Sequence, residues 1–172
     1  MQRVIGFLMI FAGCAGIGMW YGNRYREQVQ VLRDFCYILE ILAGEIRYGR
    51  CVLAQCCLQV AKRTKEPFRQ SFMQVYERML QNGGESFEEI CEGGLKEGLK
   101  DIAAKAEDKE IFIQCFSKAG FQEDILQLRM IEQGKRQLED RLCVMEGEAA
   151  SKYKLALGMG VMSGLLLIIL LL

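Results

Sequence analysis

No histidine occurs among the 172 residues, so the side chains that could carry chemistry are eight cysteines and 22 Asp or Glu. Without imidazole the chain has neither the Ser-His and Cys-His nucleophile pairs nor the mixed Cys/His zinc sites. The cysteines stand at 14, 36, 51, 56, 57, 91, 115 and 143, with no C-x-x-C pair. Cys51 and the adjacent Cys56 and Cys57 could form a metal set; the plainer expectation is buried, reduced thiols acting as small hydrophobes. Paired carboxylates can work as general acid and base. Here, in Glu107-Asp108-Lys109-Glu110 and again over 137–141, acidic residues lie beside Lys and Arg, and a solvated, ion-paired helix face is expected. The glycines make neither G-x-x-x-x-G-K-[ST] nor G-x-G-x-x-G after a strand, so no phosphate cradle is expected. With 22 basic against 22 acidic side chains and a pI near 6.4, there is no basic footprint for nucleic acid. The residues therefore point to no enzyme, cofactor, metal, nucleic acid or small-molecule substrate.

What the chain does have is hydrophobic residues, 51% of it, concentrated at its ends. Residues 4–21 and 155–172 are each 18 residues without a charge, and apart from Arg3 every charged side chain falls in 22–154. At about 1.5 Å per residue, each stretch makes a helix of roughly 27 Å, close to the bilayer core of about 30 Å. Three readings of the first stretch compete: a retained membrane helix, a lipoprotein signal ending at Cys14 in Phe11-Ala12-Gly13-Cys14, and a cleaved signal peptide. Apolar residues continue for two turns beyond Cys14, which favours the retained helix. Gly6, Gly13, Gly16, Gly18 and Gly22 in the first stretch, and Gly160 and Gly164 in the second, would let another helix approach closely, or reflect how frequent glycine is in membrane helices. Arg24 and Arg26 with Trp20, Tyr21 and Tyr25 flank the first stretch; Lys152 and Lys154 with Tyr153 flank the second. Both sets lie on the side of the central domain, so the positive-inside rule places 22–154 in the cytoplasm between transmembrane helices 4–21 and 155–172. Reduced cysteines agree with that side.

The central domain reads as an all-α, antiparallel helical bundle of about six helices. The first spans 24–48, with Leu32, Phe35, Leu39, Leu42 and Ile46 as its stripe, and Gly49 ends it. The second covers 52–62 and the third 67–81, Pro67 fitting its first turn and Asn82-Gly83-Gly84 stopping it. Ser86-Phe87-Glu88-Glu89 has the spacing of a capping box and opens the fourth, which the Gly93-Gly94 pair should weaken or kink. The fifth runs over 108–118 with Ile111, Phe112, Cys115 and Phe116 inward. The sixth starts near 122 and continues into the terminal apolar stretch. Because the first and last helices both feed the membrane, their membrane-proximal ends should lie side by side. Arg47, Arg50, Lys62, Arg63, Lys65 and Arg69 form a basic run, and Glu85, Glu88, Glu89 and Glu92 an acidic one. These are either ordinary helix surface with first-turn dipole compensation or docking surfaces of opposite sign.

The order Leu32-Arg33, Leu39-Glu40, Gly44-Glu45-Ile46-Arg47-Tyr48-Gly49, the acidic turn around Gly120 to Asp124 and the terminal Gly-Leu-Leu-Leu-Ile-Ile block resembles the stage III sporulation protein AB family of endospore-forming bacteria. The resemblance covers essentially the whole chain. One departure is Arg50-Cys51-Val52-Leu53, which lacks a proline that the family often has there. The resemblance implies a membrane subunit of the complex between mother cell and forespore, similar to the platform proteins of type II secretion and type IV pilus machines. On that basis it would sit in the mother-cell membrane as a two-pass protein, and its partners would be a companion cytoplasmic ATPase, other subunits of the stage III complex and membrane lipid. Glu45, Arg47, Tyr48 and Arg50 are then the candidate contact residues; the alternative is that Glu45 and Tyr48 merely fix the turn after the first helix. A generic membrane-anchored scaffold or signalling bundle without an ATPase partner is the rival class.

Overall fold

Apolar residues at three- and four-residue steps give six α-helices in the computed structural model, which describes residues 2–48, 53–81, 84–120 and 124–171. Most side chains before residue 22 and after residue 155 lie outside the described ones. The helices are α1 (Gln2–Tyr48), α2 (Leu53–Arg63), α3 (Phe68–Leu80), α4 (Phe87–Gly98), α5 (Ala106–Ser117) and α6 (Asp124–Leu171), with one 3-10 turn at Lys118–Gly120. Among the described residues there is no strand. Two compact units share the long helices: Val31–Leu142, and Met1–Gln30 together with Cys143–Leu172.

Local chemistry explains the helix limits. Ser86 Oγ accepts from the Glu89 backbone N–H (3.3 Å) while Glu89 Oε2 accepts from the Ser86 N–H (2.9 Å), so the expected capping box is formed and opens α4. Those same bonds hold the Glu89 carboxyl below its usual range. Pro67, after a cis Glu66-Pro67 peptide, precedes α3 as its N-cap rather than lying in its first turn. Pro67 makes no side-chain cap, but Glu66 Oε2 accepts from the Gln70 N–H at 3.2 Å. Thr64 Oγ donates to the Val60 carbonyl at 2.8 Å just past the end of α2. Gly84, at φ +79°, takes the left-handed conformation that breaks the chain between α3 and α4. Gly49, also expected as a stop, lies outside the described residues.

Within Val31–Leu142, contacts fix the helix directions. Gly94 and Gly98 of α4 meet Val75 and Ser71 of α3; Asp108 and Cys115 of α5 meet Arg141 and Gly134 of α6; Glu40 and Arg47 of α1 meet Lys135 and Glu132 of α6. In every pair one number rises as the other falls, so the neighbours are antiparallel. One end of this unit therefore holds Val31, the α2–α3 turn, the α4–α5 connection and Leu142; the opposite end holds Arg47, the start of α4 and the start of α6.

The core is centred on phenylalanines from three helices. Phe35 of α1 stacks on Phe112 of α5 with centroids 4.3 Å apart, Phe68 of α3 meets Phe35 edge-on at 5.7 Å, and Phe72 lies 4.8 Å from Phe116. Leu32, Leu39, Leu42, Leu95, Leu99, Ile131 and Leu138 close around them, all essentially inaccessible. One expectation gains a purpose and one changes. The Gly93-Gly94 pair, expected to weaken or kink α4, lies inside a helix that runs Phe87–Gly98, and a Cβ at Gly94 would lie 2.7 Å from Val75 Cγ2, so the glycine lets α3 and α4 touch. The inward face of α5 is Asp108, Phe112, Ile113, Phe116 and Ser117, with Ile111 and Cys115 only half-buried. Phe112 and Phe116 aim at the centre, which rotates Ile111 and Cys115 toward α6.

Candidate functional site

The candidates at the end of α1 do not converge on a catalytic arrangement. Arg47, half-exposed at 50%, donates from Nη2 to Glu132 Oε1 at 2.6 Å, tying α1 to α6. Glu45 is partly buried. The Tyr48 side chain and the whole of Arg50 lie outside the described residues. The structure thus gives Arg47 a partner, Glu132, that spacing along α1 could not reveal.

The basic run divides between the two ends of Val31–Leu142. Arg47 lies at the α1 terminus, whereas Lys62, Arg63, Lys65 and Arg69 cluster at the α2–α3 turn. All four are exposed, and none makes an ion pair among the described residues. The acidic run is partly consumed locally: Glu89 completes the cap, and Glu92 pairs with Lys96 at 2.8 Å. Those bonds favour the plain reading of that run over a docking surface.

A buried charge is the feature that helix periodicity alone misses. Asp108, expected on a solvated face, is 1% exposed and accepts a hydrogen bond from Arg141 Nη1, while Arg141 Nη2 donates to Glu107 at 2.9 Å. Glu107 and Asp108 hold the Arg141 guanidinium above its already high range. A signal exists in the spacing: Asp108 lies four residues before Phe112, and Arg141 three after Leu138, each near the inward face of its helix.

The thiols behave as hydrophobes. Cys36, Cys56, Cys57 and Cys91 are buried, Cys115 half-buried and Cys143 exposed. Burial pushes Cys36 up to about 11, and likewise Cys115 to about 11. Cys57, hydrogen-bonded to it, and burial together drive the Cys91 thiol above the usual range. No three Cys, Asp or Glu converge as a metal site would need among the described residues, and Cys51 lies outside them. A groove of about 290 Å³ between α4 and α5 has Leu99 and Ile113 in its lining, and its rim charges are engaged: Lys96 with Glu92, and Lys109 Nζ with the Lys100 carbonyl at 2.8 Å.

In the other unit, the stretches flanking the apolar ends touch. Gly22 is buried, and a Cβ there would lie 2.5 Å from the Tyr153 ring. The Arg26 guanidinium stands 4.1 Å from the centroid of that ring, and Lys152 Nζ 4.7 Å from that of Tyr25. Lys152 also pairs with Glu148 at 2.7 Å, which holds it protonated, and the Tyr25 hydroxyl donates to Glu148 at 3.4 Å. Residues read as interface anchors are thus partners of one another, side by side on α1 and α6. Among the described residues no helix is long and apolar enough to cross a membrane; most side chains of 4–21 and 155–172 lie outside them.

Comparison with known proteins agrees with the fold. A solved structure described as stage III sporulation protein AB matches with a TM-score of 0.64 at 24% identity, covering 72% of this chain and 96% of that one. No curated protein matches the chain. The family model of stage III sporulation protein AB matches residues 3–172. With that match spanning the long first and last helices and all that lies between them, the chain belongs to the stage III sporulation protein AB family.

Proposed function

We propose that this protein is a non-enzymatic, two-pass membrane subunit of the stage III sporulation complex that couples a cytoplasmic ATPase to the other membrane subunits. One observation carries this reading. The end of Val31–Leu142 where α1 enters and α6 leaves also bears Lys62, Arg63, Lys65 and Arg69, all exposed and without an ion pair among the described residues. Cations near an anionic leaflet contribute about 1 kcal/mol each. The uncharged stretches 4–21 and 155–172 supply the matching anchors in the sequence. A bundle held this way turns its opposite end, with Glu45, Arg47 and the end of α1 at Tyr48, toward the cytoplasm; Arg50 follows in the sequence. The Arg47–Glu132 pair there is half-exposed and can exchange partners at little cost.

The test is retention of a companion P-loop ATPase by the full-length protein in detergent. Arg47→Glu should abolish capture while leaving the thermal midpoint within a few degrees of wild type, since about 1 kcal/mol or less is at stake. Unchanged capture would remove Arg47 from the contact. Failure of the wild-type chain to capture the ATPase would favour a scaffold without that partner.

A further inference from the structure

The buried face of α6 in Val31–Leu142 repeats every seven residues in two rows. Ile131 and Leu138 form one row, both fully buried; the buried Gln127 and Gly134 and the half-exposed Arg141 form the other. The aliphatic row cannot distinguish one heptad from the next. The second row can, because its three members are chemically unlike.

The facing side of α5 carries two residues seven apart, Asp108 and Cys115. Each meets its own counterpart: Asp108 bonds Arg141, and Cys115 Sγ occupies the space that a Cβ at Gly134 would need. Cys115 Sγ also reaches the Met130 carbonyl at 4.0 Å. A slide of one heptad in one direction sets Gly134 before Asp108, leaving a 1%-exposed carboxylate without its cation. A slide the other way drives Arg141 into Cys115, where there is no room for a methyl group. Buried ion pairs and single polar positions in helical seams often give up stability relative to apolar replacements while fixing register.

We propose that Asp108–Arg141 and Cys115–Gly134 together form a register lock on α6, the ion pair supplying selectivity rather than stability. Arg141 stands two residues before α6 leaves this unit at Cys143, so the lock sets the axial position from which the rest of the helix continues.

The experiment uses the full-length chain in detergent micelles with labelled methionine methyl groups, reading Met130 and Met145 on α6. In wild type each gives one signal. The lock predicts that the double variant Asp108→Leu, Arg141→Leu unfolds at or above the wild-type midpoint, and that adding Cys115→Ala, which frees the space facing Gly134 as well, gives a second signal for both methionines. Arg141→Lys, which keeps a cation opposite Asp108, should retain single signals. Single, native-position signals in the folded triple variant would overturn the proposal. Failure of the double variant to fold would overturn it equally, because the pair would then be supplying stability.

Discussion

Two ion pairs tie α6 to its neighbours from opposite ends of the bundle, and they differ in what they exclude. Asp108–Arg141 buries one carboxylate to 1% exposure; Arg47–Glu132 leaves its side chains 50% and 37% exposed. Solvent screens the second pair and competes for it, so it contributes little to folding. Water cannot reach the Asp108 carboxylate, so any change to its partner is felt in full. Two pairs that look alike in sequence thus suit different proposed uses: the first to specify the helix arrangement, the second to serve an outside contact.

The comparison breaks first at Arg141. Arg141→Ala leaves Asp108 buried and uncompensated, and should cost about 3–5 kcal/mol in a denaturant titration of the full-length chain. Asp108→Ala should cost less, because Arg141 is 39% exposed and keeps Glu107. If the two substitutions cost the same, the asymmetry of burial is not what matters. Next in size is Gly134→Ala, whose Cβ would collide with Cys115; overpacking of this kind costs about 1–3 kcal/mol. Adding Cys115→Ser to that variant should not relieve the collision, because a hydroxyl still fills the space, whereas adding Cys115→Gly should.

Smaller effects sharpen the exposed side. Ser86→Ala removes the capping bond to Glu89 and should cost about 1 kcal/mol by thermal unfolding. Arg47→Ala should fall between about 0 and 1 kcal/mol, shrinking further at high salt. The buried Cys36 gives a pH signature. Its thiol is raised to about 11 from an unfolded value near 9, so the folded state binds the extra proton between those values. Stability should therefore fall as pH rises from about 9 to about 11, and Cys36→Ala should flatten that part of the profile.

How much could be read beforehand divides along the same line. Helix count, the capping box, the phenylalanine core and the continuity of α6 follow from short-range periodicity, which a sequence displays directly. The antiparallel seams were legible only as an expectation from short loops. Gly94 read as a weak point because helix propensity is local, while its use depends on Val75 in another helix. Asp108 read as surface because acidic residues usually are; only the Arg141 partner, 33 positions away, makes burial tolerable. Arg47 is a contact candidate only through the family resemblance around the end of the first helix, and its pairing with Glu132 needs the tertiary structure.

Every role assigned to the two ends depends on the bundle lying on the cytoplasmic side of a membrane. Cys143 reports this directly, because it is exposed and lies on the stretch of α6 between the central domain and the terminal apolar residues. The measurement is labelling of intact sporulating cells with a membrane-impermeant maleimide, mapped by peptide, before and after permeabilisation. The account predicts Cys143 protected in intact cells and modified once the membrane is opened. Modification of Cys143 in intact cells would contradict it.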